Sequence, residues 1–269
     1  MSQIQSMLSS GTEKYFQPKN PLKTDSVLQM RLAFLVGLVA FGLPIVLAAG
    51  AVFGGSCFRD SISHFYYAQF LGAIFVGLLV FIGGFLIAYT GDHWLEDLGS
   101  FIAGIGACFV AVFPTSGSGC EEPVSFKSRI FADVIQTPPP VLSDPQPDAF
   151  FTLFSSAPHL HAWAAGILFA YLGLYCLFVL RRVVPERHIR NGQLIRSKRQ
   201  RNTLYSMCGI TILLCVLVLG IVAFSGEGTQ AGWKSHNLTF FVETIALWAF
   251  GLAWFAKGRA FPSLRDSTP

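Results

Sequence analysis

The sequence predicts an all-α membrane protein, a six-transmembrane-helix bundle with N and C termini cytoplasmic. Three observations carry that prediction. Charged residues are only 13% of the chain and hydrophobic residues 52%, whereas a soluble domain carries about 25% charge. The apolar residues fall into six runs of about 20, the length a helix needs to cross a hydrocarbon core of about 30 Å. Lys and Arg divide unequally between alternate loops, which fixes the orientation. Barrel strands would be about half as long and would alternate in polarity; these runs do not alternate.

The first run spans Leu32 to Phe53 without a charge. The second spans about Tyr66 to Tyr89. The third spans Trp94 to Phe113 and stops at Pro114, and the fourth spans His159 or Leu160 to Leu180, ended by Arg181-Arg182. The fifth spans Thr203 to Phe224, and the sixth spans Asn237 to Ala256, ended by Lys257. On one side lie four cations of the N-terminal segment (Lys14, Lys19, Lys23, Arg31), eight of the loop from Arg181 to Arg201, and Lys257, Arg259 and Arg265. Only Arg59, Lys127, Arg129 and Lys234 fall on the other. The cation-rich side is cytoplasmic.

The expected organisation is therefore a cytoplasmic segment over 1–30, a membrane domain over 31–257 and a tail over 258–269. Within the membrane domain lie an external loop, 115–158, and a basic cytoplasmic loop, 181–202. Residues 1–30 are polar and do not read as a signal peptide, whose apolar region is about 7–15 residues and sits nearer the start. The basic loop has no aromatics interleaved with its charges. It reads as a topology determinant that touches anionic head groups, and the expected partner is membrane lipid, not nucleic acid. The external loop carries Pro138-Pro139-Pro140, Pro145 and Pro147 and is expected to fold over the outward mouth, with a short surface helix from Ser125 to Ile135. Cys57 and Cys120 are the cysteines outside the spans, and two thiols on an oxidising face predict a disulfide. Gly99, Ala103 and Ala107 or Cys108 repeat at four-residue spacing in span three, which lets helices approach closely; packing inside the bundle is expected over a dimer seam.

Polar residues gather at the outer ends. Asp60, Ser61, Ser63, His64 and Tyr66 precede span two, His159 and His161 open span four, and His236 opens span six. Glu243 lies inside span six, where a carboxylate costs about 2.5–3.5 kcal/mol at mid-helix and so expects a partner. His161, Ser61 and Ser63 are the candidates. Asp60, Ser61, Ser63, Tyr66, His161 and Glu243 form the expected ligand-binding set. Glu96 and Asp97 suit the positive end of helix three, with Asp92 as its expected cap. No cofactor is expected. The alternative is zinc held by His64, His161 and His236 with Asp60 or Glu243, although no HExxH or HxxxH spacing supports it. A serine hydrolase built on Ser61 or Ser63, a His and Asp60 lacks a GxSxG elbow.

Three segments carry a resemblance: Asp60-Ser61-Ile62-Ser63-x-x-Tyr66, Val110-Ala111-Val112-Phe113-Pro114-Thr115, and Leu160-His161-x-x-x-Ala165-x-x-x-Phe169. In order and spacing, from about Arg31 to Lys257, the chain resembles a bacterial family of uncharacterised six-helix integral membrane proteins. That family is allied to the DRAM-like (autophagy-modulator) superfamily. The resemblance implies a six-helix bundle with cytoplasmic ends in a bacterial cytoplasmic membrane, and no particular reaction. His64-Phe65 replaces an Ala-Tyr pair frequent in that family. The alkaline ceramidases and their receptor relatives, which set Ser, Asp and three His around zinc in seven helices, stand as an alternative only, because this chain has six spans and lacks the paired His of that motif. The expected function is non-enzymatic binding of a lipid or small ligand, or assistance in assembly, at an outward-facing polar pocket. The alternative is a metal-dependent lipid hydrolase.

Overall fold

The computed structural model of the chain describes residues 27–55, 57–91, 93–113, 115, 117–118, 125–126 and 157–264. Six of its helices are long and apolar enough to cross a membrane. They are α1 (Val27–Phe53), α2 (Gln69–Ala88), α3 (Trp94–Val112), α4 (Ala157–Leu174), α6 (Arg196–Ala223) and α8 (Leu238–Lys257). A 3-10 turn, Ser63–Tyr67, precedes α2, and a π turn, Tyr175–Val179, continues α4. Between α4 and α6 lie a short α5 (Pro185–His188) and a hairpin of β3 (Ile189–Arg190) and β4 (Gln193–Leu194). Asn191 and Gly192 turn the hairpin with φ of 51° and 73°, the two positive values that its tight turn requires. A smaller pairing joins β1 (Gly117–Ser118) to β2 (Ser125–Phe126). The amphipathic α7 (Glu227–Ser235) lies just before α8.

The long helices close a ring in the order α1, α2, α3, α4, α6, α8 and back to α1. Small residues set its tightest seam. A Cβ on Gly104 would lie 2.7 Å from the Gly83 carbonyl oxygen and 2.8 Å from the Ile87 amide nitrogen, so only Gly lets α2 and α3 meet there. Ala103 and Ala107 are fully buried, and α3 packs on α2 and α4, as expected of a small-residue face turned into its own bundle. The outward faces are apolar: Leu38, Phe101, Ile105, Leu217 and Ile221 are exposed.

Several boundaries differ from expectation. The second span begins at Gln69, because Ser63–Tyr67 winds as a separate 3-10 turn. The fifth begins at Arg196, since Arg and Lys are good helix formers and extend α6 beyond its apolar run. His236 does not open the sixth span. It ends α7, and Asn237, in the left-handed conformation with φ 53°, turns the chain into α8. The residue before α3 is an extended His93, while Asp92 lies outside the described residues. Ser125 and Phe126 are in β2 rather than a helix; the rest of that expected helix, and nearly all of the 115–158 cap, lie outside the described residues. Cys120 does too, so no bridge to Cys57 falls among them.

Candidate functional site

The loop from Cys57 to Ala68 forms one end of the ring's interior, and α8 holds it twice. The first four N–H groups of a helix have no partner within it. One of these, Phe240 N–H of α8, donates to the Asp60 carbonyl at 2.9 Å. In the other direction, Ile62 N–H donates to Glu243 Oε2 at 2.6 Å. Phe58 packs beside this junction, its ring 4.7 Å from that of Phe240 and 6.2 Å from that of Phe65.

Within the loop, the clustered polar residues separate into two pairs. Asp60 and His64, one helical turn apart, join through Oδ1 and Nδ1. Burial pushes the Asp60 carboxyl up, but the His64 hydrogen bond and charge, with Lys234 further off, outweigh it and hold the carboxyl below its ordinary value. The second pair is Ser63 with His161, 98 residues apart, at 2.9 Å between Oγ and Nε2. His161 Nδ1 lies 2.8 Å from the Phe113 carbonyl. That carbonyl is free because α3 ends at Val112, leaving its last acceptors without helical donors. A carbonyl only accepts, so Nδ1 carries the hydrogen; in the neutral ring Nε2 then accepts from the Ser63 hydroxyl. Ser63 and His161 are both buried.

A narrow cavity runs down the ring from this end, with about 50 Å³ of room for a water-sized sphere and about 550 Å³ of non-atom space when the open solvent at its mouth is counted. Phe75 to Ile82 on α2, Ala165 to Leu172 on α4 and Glu243 to Phe250 on α8 lie along it. Seven helical steps make each wall about 10 Å long. The lining is apolar except for Ser63 and Glu243. The space is an apolar shaft with a polar head.

The expected residues therefore take distinct places. Ser63 and Glu243 line the shaft. His161 backs Ser63, so the expected His161–Glu243 contact is replaced: both ring nitrogens of His161 are engaged elsewhere and Glu243 takes a backbone N–H instead. Ser61 is buried and accepts from His64 N–H at 3.1 Å, pinning the start of the 3-10 turn rather than facing a ligand. Tyr66 is half-buried, its ring 5.3 Å from that of Tyr67. His236 is exposed at the end of α7, 2.9 Å from the Gly232 carbonyl. Among the described residues no three His, Cys, Asp or Glu side chains gather to hold a metal, so the set His64, His161 and His236 is not assembled.

The opposite end holds a cluster that sequence reasoning treated only as charge. Lys257 Nζ donates to Tyr89 Oη at 2.9 Å and to Tyr175 Oη at 2.6 Å. It also sits 4.5 Å from the Tyr89 ring centre and 4.6 Å from that of Trp254, a cation–π arrangement. It ties the ends of α2, α4 and α8 together. Nearby, buried Glu96 pairs with Arg182, and Asp97 Oδ1 accepts Gly91 N–H at 2.7 Å. Trp254, three residues before Lys257 on one helix face, was the signal available in the sequence. The chain matches no family model, no curated protein and no solved structure.

Proposed function

We propose that the chain is a multi-pass membrane protein, with both ends cytoplasmic, that binds a single-chain amphiphile: the tail in the shaft, the head group at Ser63 and Glu243. One observation carries this reading, a partly open apolar shaft between the ring's helices with two polar side chains, Ser63 and Glu243, at one end. Pockets for small ligands combine an apolar lining with a few placed polar groups in this way, and a carboxylate held within a span marks a functional site by default. Ser63 and Glu243 offer hydrogen-bonding groups to a head group, which suits a hydroxyl-bearing head, as in a monoacylglycerol. The exposed apolar faces of the ring and the uneven Lys and Arg distribution support membrane insertion and its orientation.

The resemblance to the bacterial six-helix family, and with it a bacterial cytoplasmic membrane, belongs to the same proposal. So does a Cys57–Cys120 bridge on the outer face: the free thiols among the described residues are Cys108, Cys176, Cys208 and Cys215, all in helical segments, and Cys57 is not one of them. The zinc-hydrolase alternative has no observation in its favour.

The test is retention of a monoalkylglycerol ether, which has no ester to cleave, by purified protein in nanodiscs, read by native mass spectrometry. Wild type should retain one molecule, and Leu168→Trp, which fills the shaft wall, should lose it while unfolding at the wild-type temperature. Equal retention by the filled variant would contradict the reading.

A further inference from the structure

We propose that Ser63 is a nucleophile and His161 its general base, so that the shaft is the acyl pocket of an esterase acting on single-chain lipid esters. The inference rests on the binding reading above and adds chemistry to it. A serine hydroxyl is a weak nucleophile until an adjacent base takes its proton, and the base works best when a third group fixes its ring. All three parts are in place. Ser63 Oγ is 2.9 Å from His161 Nε2. His161 Nδ1 is 2.8 Å from the Phe113 carbonyl, which fixes the tautomer that leaves Nε2 able to accept. Ser63 also lines the shaft, so an acyl chain lying there brings its ester carbonyl to the hydroxyl. Asp60 is not part of this unit, because its carboxylate is committed to His64. The orienting acceptor is a backbone carbonyl at a helix end, which explains the absence of a GxSxG or triad pattern in the sequence.

In the reaction Ser63 Oγ adds to the ester carbonyl carbon as its proton passes to His161 Nε2. The tetrahedral intermediate then breaks its bond to the alcohol oxygen, and the proton on Nε2 passes to that oxygen. A free alcohol leaves and an acyl ester remains on Ser63. Water then adds to this ester, giving a proton to Nε2. Cleavage of the bond to Oγ returns that proton to Ser63 and releases the carboxylic acid.

The test uses the full chain in nanodiscs and a dodecyl fluorophosphonate, which transfers its phosphorus to an activated serine and loses fluoride. Peptide mapping should find the adduct on Ser63, and His161→Gln should slow its formation by about 10²–10⁴-fold, the usual worth of a general base. Retention of the matching dodecyl phosphonate diester, which has no leaving fluoride, is measured in parallel on wild type and Ser63→Ala. Retention without a Ser63 adduct, or an adduct only at another residue, would overturn the esterase and leave the binding reading intact. Neither retention nor adduct would overturn both. The mapping on wild type decides the matter even where His161→Gln does not fold.

Discussion

Glu243→Leu isolates what the intramembrane carboxylate does for the loop at the head of the shaft. Glu243 Oε2 is the acceptor for Ile62 N–H at 2.6 Å, and Ile62 is buried. Leucine removes the acceptor and leaves that N–H without a partner, at a cost of about 1–3 kcal/mol. One of the two bonds between loop and α8 survives, from Phe240 N–H to the Asp60 carbonyl at 2.9 Å, so the effect is local. The direct assay is hydrogen exchange of the Ile62 amide, which reports local opening. The expected acceleration is about 5- to 150-fold. Glu243→Gln keeps an oxygen in place as an amide acceptor, a loss of at most about 1 kcal/mol, so its acceleration should be at most about 5-fold. Exchange in Glu243→Leu within twofold of wild type, or equal exchange in the two variants, would refute the assignment.

Asp60 gives a pH prediction. Its folded value lies below the ordinary 3.8, so its pair with His64 contributes stability above that pH, and the contribution disappears as pH falls through the folded value. The stability difference between wild type and Asp60→Asn should therefore shrink as pH falls below 3.8, as read by thermal unfolding; a difference that grows over that range would contradict it. Gly104→Ala should destabilise by about 1–3 kcal/mol through its clash with the Gly83 carbonyl. Gly77→Ala, with nothing within 4 Å of the added carbon, should be neutral or stabilising in the same denaturation series. For the cysteines, unfolded and non-reduced protein should expose the four helical thiols to maleimide and leave Cys57 and Cys120 unlabelled; modification of either would exclude the bridge.

The helices were legible because a bilayer imposes long apolar runs, and Arg181-Arg182 and Lys257 mark their ends without ambiguity. Glu243 was equally conspicuous, as a carboxylate in an apolar run. Its partner was not, since every residue except proline carries an N–H and nothing in the sequence distinguishes that of Ile62. The Ser63–His161 pair depends on ring closure that brings together residues 98 positions apart. Helical periodicity within either span carries no information on that distance. Phe113 is hidden for a related reason: its role comes from a carbonyl freed where α3 stops, which the following Pro114 marks as a helix end but not as an acceptor. The four cations at the start of α6, Arg196, Lys198, Arg199 and Arg201, by contrast, obscured the true start of that helix, because hydropathy reports the apolar run and not the helix that extends past it.

Photocrosslinking with a monoalkylglycerol ether carrying a diazirine at the tail's end shows whether an amphiphile's tail occupies the shaft. Adducts are expected deep in the shaft, on Ile82, Leu172 or Phe250, which line it farthest from Ser63 and Glu243. Adducts confined to outward-facing residues such as Phe101, Ile105 and Leu217 would contradict that occupancy.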